Sequence, residues 1–190
     1  MGYCVKCGIE MQRCIPVGDT REREQCPACR HVYYENPTLL IGCFLYYEGA
    51  LLWTKRAMPP KQGFWSFPTG FVENSESLQE AAARELYEET LIQKQSADML
   101  PMSLISISAI DQIYVGFRCP MEGRVEAAIT EETTAAGWFE ESEAPWDLMA
   151  YPEQEPQIRE IYSWIRSGNF SIRIGDVRSD GDRFQNFELK

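Results

Sequence analysis

The stretch "GFVENSESLQEAAARELYEETLI", residues 70–92, decides how the rest of the chain is read. Its second half has helical spacing. At roughly 100° per residue, Leu78, Ala82, Glu85, Glu89 and Ile92 fall on one narrow stripe, the side an amphipathic helix turns inward. Glu85 and Glu89 therefore stand where the pattern expects core residues, with Glu88 one step around. An unpaired ion taken out of water costs several kcal/mol. Crowded carboxylates also repel one another, by about 1 kcal/mol per pair in water and about 4 kcal/mol near a protein surface at ~4 Å separation. Acids on this stripe need a cation to offset them. Hard divalent ions take oxygen ligands, and Mg²⁺ commonly uses one or two carboxylates together with substrate phosphates. The stretch is thus expected to present a magnesium site on a helix face.

Working outward, Ser77 and Glu80 fit a capping box at the start of this helix, which should run to about residue 91. Upstream, "MPPKQGFWSFPTGFVENSES" (58–77) reads as a loop rich in Pro, Gly and aromatics. Before it, "LLIGCFLYYEGALLWTKR" (39–56) reads as two strands joined by a turn at Glu48-Gly49. Downstream, "SLISISAI" (103–110) and "DQIYVGFRCPM" (111–121) alternate enough to be strands, and "AAGWFEESEAPW" (135–146) continues the sheet into a loop. Ile158, Ile161, Tyr162 and Ile165 keep the spacing of a second amphipathic helix, ended by Gly168. "FSIRIGDV" (170–177) is one more strand candidate, and the last dozen residues read as a loose polar tail. Strands on both sides of a central helix, with a closing helix, predict an α+β fold, an α/β/α sandwich with a mixed sheet.

At the other end, Cys4-Val-Lys-Cys7 and Cys26-Pro-Ala-Cys29 form two C-x₂-C knuckles separated by eighteen residues. This is a Cys4 zinc pattern, and four thiolates leave a zinc ion no open position, so the site is structural. A segment of this size cannot bury enough surface to fold alone, whereas a structural zinc contributes about 10–16 kcal/mol in peptide models. Cys14 and the single histidine, His31, read as bystanders, and Cys43 and Cys119 as core. "ENPT" (35–38) marks a short linker. The expected domains are a zinc ribbon over residues 1–35 and a larger domain over 36–190.

The 190 residues are 44% hydrophobic, enough for one proper core plus an appendage. A formal net charge of −11 argues against an electrostatic grip on nucleic acid or an anionic membrane, because that grip needs Lys and Arg. "MGYCVKCGIEMQR" lacks the apolar core of a secretory signal, and "TLLIGCFLYY" is too short to span a bilayer. Seven cysteines, with two CxxC pairs among them, suit a reducing cytoplasm and metal ligation better than disulfides. The expected location is cytoplasmic.

With Gly70, Glu76, Arg84, Glu85, Leu86, Glu88, Glu89 and Ile92 in place, the opening stretch resembles the Nudix box, G-x₅-E-x₇-R-E-U-x-E-E-x-G-U, where U is a bulky aliphatic. Every fixed charged position matches. One position departs: Leu91 stands where the box has its second glycine. A non-glycine in the left-handed turn expected there costs on the order of 1 kcal/mol, so the exit from the helix is expected to differ while the metal-binding face stays intact. The ribbon, "ENPTLLIGCFLYYEG", "QIYVGF" and "REIYSWIRSGNFSIRIGDV" are similar to the plant plastid-type pyrophosphatases acting on FAD and ADP-ribose. The SQPWPFPxS signature of NADH pyrophosphatases is absent.

The resemblance implies hydrolysis of a nucleoside diphosphate linked to another moiety, with Mg²⁺ or Mn²⁺ as cofactor beside the structural Zn²⁺. It implies Glu85 and Glu89 as main metal ligands, with Glu88 binding directly or through water. Gly70 would offer a backbone carbonyl, Arg84 would orient the glutamates, and Glu76 would pair with Arg84. The general base in this superfamily is a box glutamate or a carboxylate from a later loop; Glu132, in "TEETTAAGWF", leads the loop candidates, followed by Glu131. Trp65, Phe67 and Tyr114 are candidates for stacking on adenine or flavin, with core packing the stronger reading of each. Arg56 is a candidate phosphate contact. The implied partner is a small-molecule nucleotide, and a homodimer is common in the dinucleotide-cleaving branch. The alternatives are a triphosphate-cleaning hydrolase of the MutT kind, and a non-catalytic nucleotide-sensing module. Modules of the latter kind often lose box glutamates, and this chain keeps them.

Overall fold

The computed structural model describes residues 2–178 and the backbone of 183–188. The chain forms two compact units, Met1–Pro37 and Thr38–Lys190. The smaller holds three short strands, β1 (Gln12–Cys14), β2 (Arg23–Gln25) and β3 (Val32–Tyr33), in one antiparallel sheet of order β1-β2-β3. Strands of two or three residues are at the lower limit of length, and among the described residues the apolar core of this unit is only Cys4, Met11 and Cys26. Something other than burial must hold this unit together.

The larger unit begins with β4 (Thr38–Tyr47) and β5 (Ala50–Arg56). Glu48 and Gly49 take positive φ of 44° and 83° between the paired Tyr47 and Ala50, the two-residue turn expected there. Both strands run buried over five consecutive residues, Ile41–Leu45 and Ala50–Thr54, as strands covered on both faces must. Next come β6 (Trp65–Ser66), β7 (Thr69–Phe71), helix α1 (Leu78–Thr90), β8 (Leu100–Ile107), β9 (Gln112–Pro120) and β10 (Thr133–Glu140). Helix α2 (Glu155–Ser167), β11 (Ser171–Val177) and β12 (Arg183–Glu188) complete the described chain. The sheet order is β10-β5-β4-β9-β8-β11-β12, with β6 on β5 and β7 on β4. Because β4 pairs with β9, and β8 with β11, in parallel while the other pairs are antiparallel, the sheet is mixed.

Ile41, Cys43, Leu45 and Leu52 point to the face covered by α1, where Ala81, Ala82 and Leu86 meet them. Phe44, Leu51 and Trp53 point to the other face, covered by Ile158, Ile161 and Tyr162 of α2. There Trp53 Nε1 donates to the Tyr162 hydroxyl at 3.0 Å, and that hydroxyl donates to the Phe139 carbonyl at 2.9 Å. This is the α/β/α sandwich expected from the sequence. Among the described residues, no helix is long and apolar enough to cross a membrane.

Four local expectations change. The loop at 58–77 contains β6 and β7, which are too short to leave a period of their own and form because neighbouring strands offer partners. Leu78 is 37% exposed, and Ala81 and Leu86 are buried instead, so the inward stripe is wider than read. Within the last dozen residues, 183–188 form β12 antiparallel to β11; the remainder of that expectation lies outside the described residues. Finally, the exit from α1 does not differ. Leu91 adopts the left-handed conformation itself, at φ 57° and ψ 13°, and its N–H donates to the Tyr87 carbonyl. Leu91 is 52% exposed, so little packing offsets the backbone cost. Leu91→Gly should therefore raise stability in urea unfolding by about 0.5–1 kcal/mol, the left-handed penalty less glycine's greater unfolded entropy. A fall would show that Leu91 packing dominates.

Candidate active site

Helix α1 starts on the expected capping box: the Glu80 N–H donates to Ser77 Oγ, and the Ser77 N–H to Glu80 Oε2. Packing of Ala82 and Leu86 then rotates Glu85 and Glu89 toward the sheet, where they are 7% and 6% exposed. Glu89 is held from the sheet side by neutral donors. Its Oε2 accepts from the Thr54 hydroxyl at 2.9 Å and its Oε1 from the Thr69 N–H at 2.8 Å. Burial nevertheless pushes its carboxyl up to about 7, against the pull of those two donors; Glu85 adds to the push and Arg56 opposes it. Burial likewise raises Glu85, with Arg84 opposing and the charges of Glu88 and Glu132 adding to it.

Arg84 ties the other acids together. Its Nε and Nη2 donate to the two oxygens of Glu76 at 3.0 and 2.7 Å, and its Nη1 to Glu85 at 2.7 Å and Glu88 at 2.9 Å. A further Nη2 bond reaches the Phe71 carbonyl at 2.9 Å. All five guanidinium N–H groups are thereby used. The Arg84 fork holds the Glu76 carboxyl below its usual range. Gly70, in β7 beside Ile41 of β4, is under the Glu85 carboxylate, and a Cβ there would lie 2.0 Å from Glu85 Cδ. Only glycine lets that carboxylate settle against the backbone.

Gly70, Glu76, Arg84, Glu85, Glu88 and Glu89 thus form one cluster. Arg56 and Glu132 stand at its edge, close enough for their charges to act on Glu89 and Glu85. The 130–133 segment runs beside β5, for the Ala57 N–H donates to the Glu132 carbonyl and Thr133 pairs with Arg56. Glu131 is exposed on the same segment. Trp65, Phe67 and Tyr114 are not brought to the glutamates. Strand alternation puts Ser66 opposite Thr54 on the α1 face, so Trp65 and Phe67 turn to the α2 face. Trp65 meets Phe139 edge-on, and Phe67 is packed between Phe44 and Trp53 at ring separations of 4.5 and 4.4 Å. Tyr114 packs on the same side, its hydroxyl over Gly42. Of the three stacking candidates, Phe67 is core and Trp65 and Tyr114 are half-buried against it. The sequence reading also missed Thr54 and Thr69. A polar residue at an inward position of "ALLWTKR" is the same anomaly that Glu85 and Glu89 show, and it was the available signal for Thr54.

In the smaller unit, the Sγ atoms of Cys4, Cys7, Cys26 and Cys29 all lie within 4.8 Å of one another. The separations are 3.6 Å for Cys4–Cys29, 3.4 Å for Cys7–Cys26 and 3.7 Å for Cys7–Cys29. A tetrahedron of thiolates ~2.3 Å from zinc needs sulfurs about 3.8 Å apart, so the four fit Zn²⁺. Backbone N–H groups of Lys6 and Cys29 point at Cys4 and Cys26 Sγ, and the Cys29 N–H leads in pulling Cys26 down to about 6. Cys14 instead donates to Gln25 at 3.3 Å, and His31 lies outside the four-cysteine group.

Comparison with known proteins places these features. Residues 37–165 match the family described as NUDIX domain, and residues 2–35 the family described as Nudix N-terminal, a zinc ribbon. The crystal structure of a NUDIX hydrolase from Nitrosomonas europaea is similar with a TM-score of 0.83 at 31% identity, covering 93% of this chain and 99% of that one. An ADP-ribose pyrophosphatase from Streptococcus suis shares the fold, with a TM-score of 0.59 at 19% identity over 73% of this chain and 99% of that one. Among curated proteins, phosphatase NudJ of Escherichia coli K12 is 38% identical over 66 residues, 35% of this chain. The match spans 42% of NudJ's own length.

Proposed function

The chain belongs to the Nudix hydrolase family, and from that premise we propose that it hydrolyses the pyrophosphate bond of a nucleoside diphosphate linked to another moiety, with ADP-ribose or FAD as substrate. Water adds to one phosphorus, the bridging P–O bond breaks, and a mononucleotide leaves together with a second phosphate ester. One observation carries the reading: two glutamates, each more than nine-tenths buried as a residue, share a cluster whose arginine is already spent on Glu76, Glu85 and Glu88. Among the described residues, Glu89 has only neutral hydrogen-bond donors, with Arg56 acting at longer range. The cluster is short of positive charge, as a site that binds cations must be before it is filled.

The donor set suits a hard divalent ion, Mg²⁺ or Mn²⁺, held by Glu85, Glu88, Glu89 and the Gly70 carbonyl. When bound, such ions supply positive charge to the bridging phosphates and stabilise the charge that develops as the bond breaks. Arg84 and Glu76 keep the acids oriented. Arg56 offers its guanidinium to a phosphate oxygen, and Glu132 is the general base that takes the proton of the attacking water. The similarity in fold to an ADP-ribose pyrophosphatase supports the substrate class, and zinc holds the ribbon.

The test is a panel of ADP-ribose, FAD, NADH and 8-oxo-dGTP with Mg²⁺ or Mn²⁺, read by product chromatography. AMP should appear from ADP-ribose or FAD faster than product from the other two. Tight binding without product in every arm would replace catalysis by sensing, and preferred cleavage of 8-oxo-dGTP would move the activity to triphosphates.

A further inference from the structure

Arg84 organises Glu76, Glu85 and Glu88, yet Glu89 is held by a different device. Thr54 lies in the middle of β5, fully buried, and its hydroxyl donates to Glu89 Oε2 at 2.9 Å across 35 residues of sequence. The Thr69 N–H takes the other oxygen. We propose that Thr54 is a positioning residue for the cation site: donated from the sheet, its hydroxyl holds the Glu89 carboxylate in the orientation that receives the metal.

Three physical points support this. A glutamate on a helix has three rotatable side-chain bonds, and the Thr69 N–H alone leaves the carboxylate free to turn about one contact. A second donor on the other oxygen stops that turn. Each carboxylate oxygen has two acceptor sites, so with one used on each oxygen, one on each remains for a cation. Threonine suits the position because β-branching restricts its rotamers and because β5, paired on both edges, is rigid scaffold rather than loop. Residues that orient metal ligands in this way typically change metal affinity by about 10–100-fold when removed.

The inference rests on the proposal that Glu89 binds a divalent ion, and the experiment keeps the two apart. Mn²⁺ is titrated into the full-length, zinc-loaded protein, and free Mn²⁺ is followed by electron paramagnetic resonance. Thr54→Val, which keeps shape and loses the hydroxyl, should bind Mn²⁺ about 10–100-fold more weakly than the wild type. Thr54→Ser, which keeps the hydroxyl, should restore affinity. Should Thr54→Val not fold, Thr54→Ala set against Thr54→Ser isolates the same hydroxyl. Thr133 is the control: its hydroxyl is also buried but has no partner among the described residues, so Thr133→Val should leave Mn²⁺ affinity unchanged. Wild-type affinity in Thr54→Val or Thr54→Ala overturns the inference alone, as does an equal loss in Thr133→Val. A wild type that binds no Mn²⁺ overturns the metal reading and the inference with it.

Discussion

Glu89→Gln should lose hydrolysis, by at least about 100-fold in kcat, and yet unfold later than the wild type at pH 8 when no Mg²⁺ or Mn²⁺ is added. Both effects have one cause. Burial moves the Glu89 carboxyl from 4.5 up to about 7, so between those values the folded chain holds a proton that the unfolded chain has released. Stability therefore falls as pH rises through that window. Below pH 4.5 both states are protonated and nothing is lost; above about 7 the folded chain must bury an ion. The gap between the two values sets a ceiling of about 3 kcal/mol on the loss. Glutamine never ionises, and its amide can still accept from Thr69 and meet the Thr54 hydroxyl. Urea unfolding from pH 5 to 8 should show the wild type declining more steeply than the variant, whose remaining slope comes from Glu85, also raised by burial. Added Mn²⁺ should restore the wild type at pH 8 far more than the variant. A variant that hydrolyses normally, or unfolds earlier than the wild type at pH 8, would refute the account.

Arg84→Lys should cost about 2–3 kcal/mol in urea unfolding and lower activity by about 10–100-fold, although charge is conserved. The arginine uses five donors in one plane on two oxygens of Glu76, one each of Glu85 and Glu88, and the Phe71 carbonyl. An ammonium has three donors radiating from a point and cannot reproduce that fork. The side chain of Glu85 is 10% exposed, so the acid has little access to water as a substitute partner. Release of Glu85 and Glu88 from their common tether should disorder the acidic face, and Mn²⁺ affinity should fall together with stability. Retained affinity in a destabilised Arg84→Lys would show that Arg84 supports the fold without orienting the acids.

Much of this was legible in the chain because it is local. Helical periodicity put Glu85 and Glu89 on the inward side of α1, since that period is a property of the backbone and needs no partner. Ser77 and Glu80 marked the helix start for the same reason, three residues apart. The two CxxC knuckles announced a four-sulfur site because the chemistry of zinc restricts the spacing. What the sequence left open was face. Trp65, Phe67 and Tyr114 read as stacking candidates and more readily as core, and alternation along short or doubly covered strands turns all three to the α2 side. In a sheet buried on both faces the pattern is apolar throughout, so nothing in it says which face a ring takes. At Leu91 the expectation failed: a preference of about 1 kcal/mol is small beside the packing of a whole helix, and the backbone kept its turn at leucine's expense.

The amino-acid order by itself determined that acids crowd an inward helix face and that four cysteines meet, because neighbours along a chain are neighbours in a helix or a knuckle. Only the folded sheet decided that Thr54, from a strand thirty-five residues upstream of Glu89, supplies the donor that steadies it, and that Glu132 and Arg56 flank the same acids. Such meetings depend on strand order and register, which follow from the sum of many weak long-range contacts rather than from any single stretch of sequence.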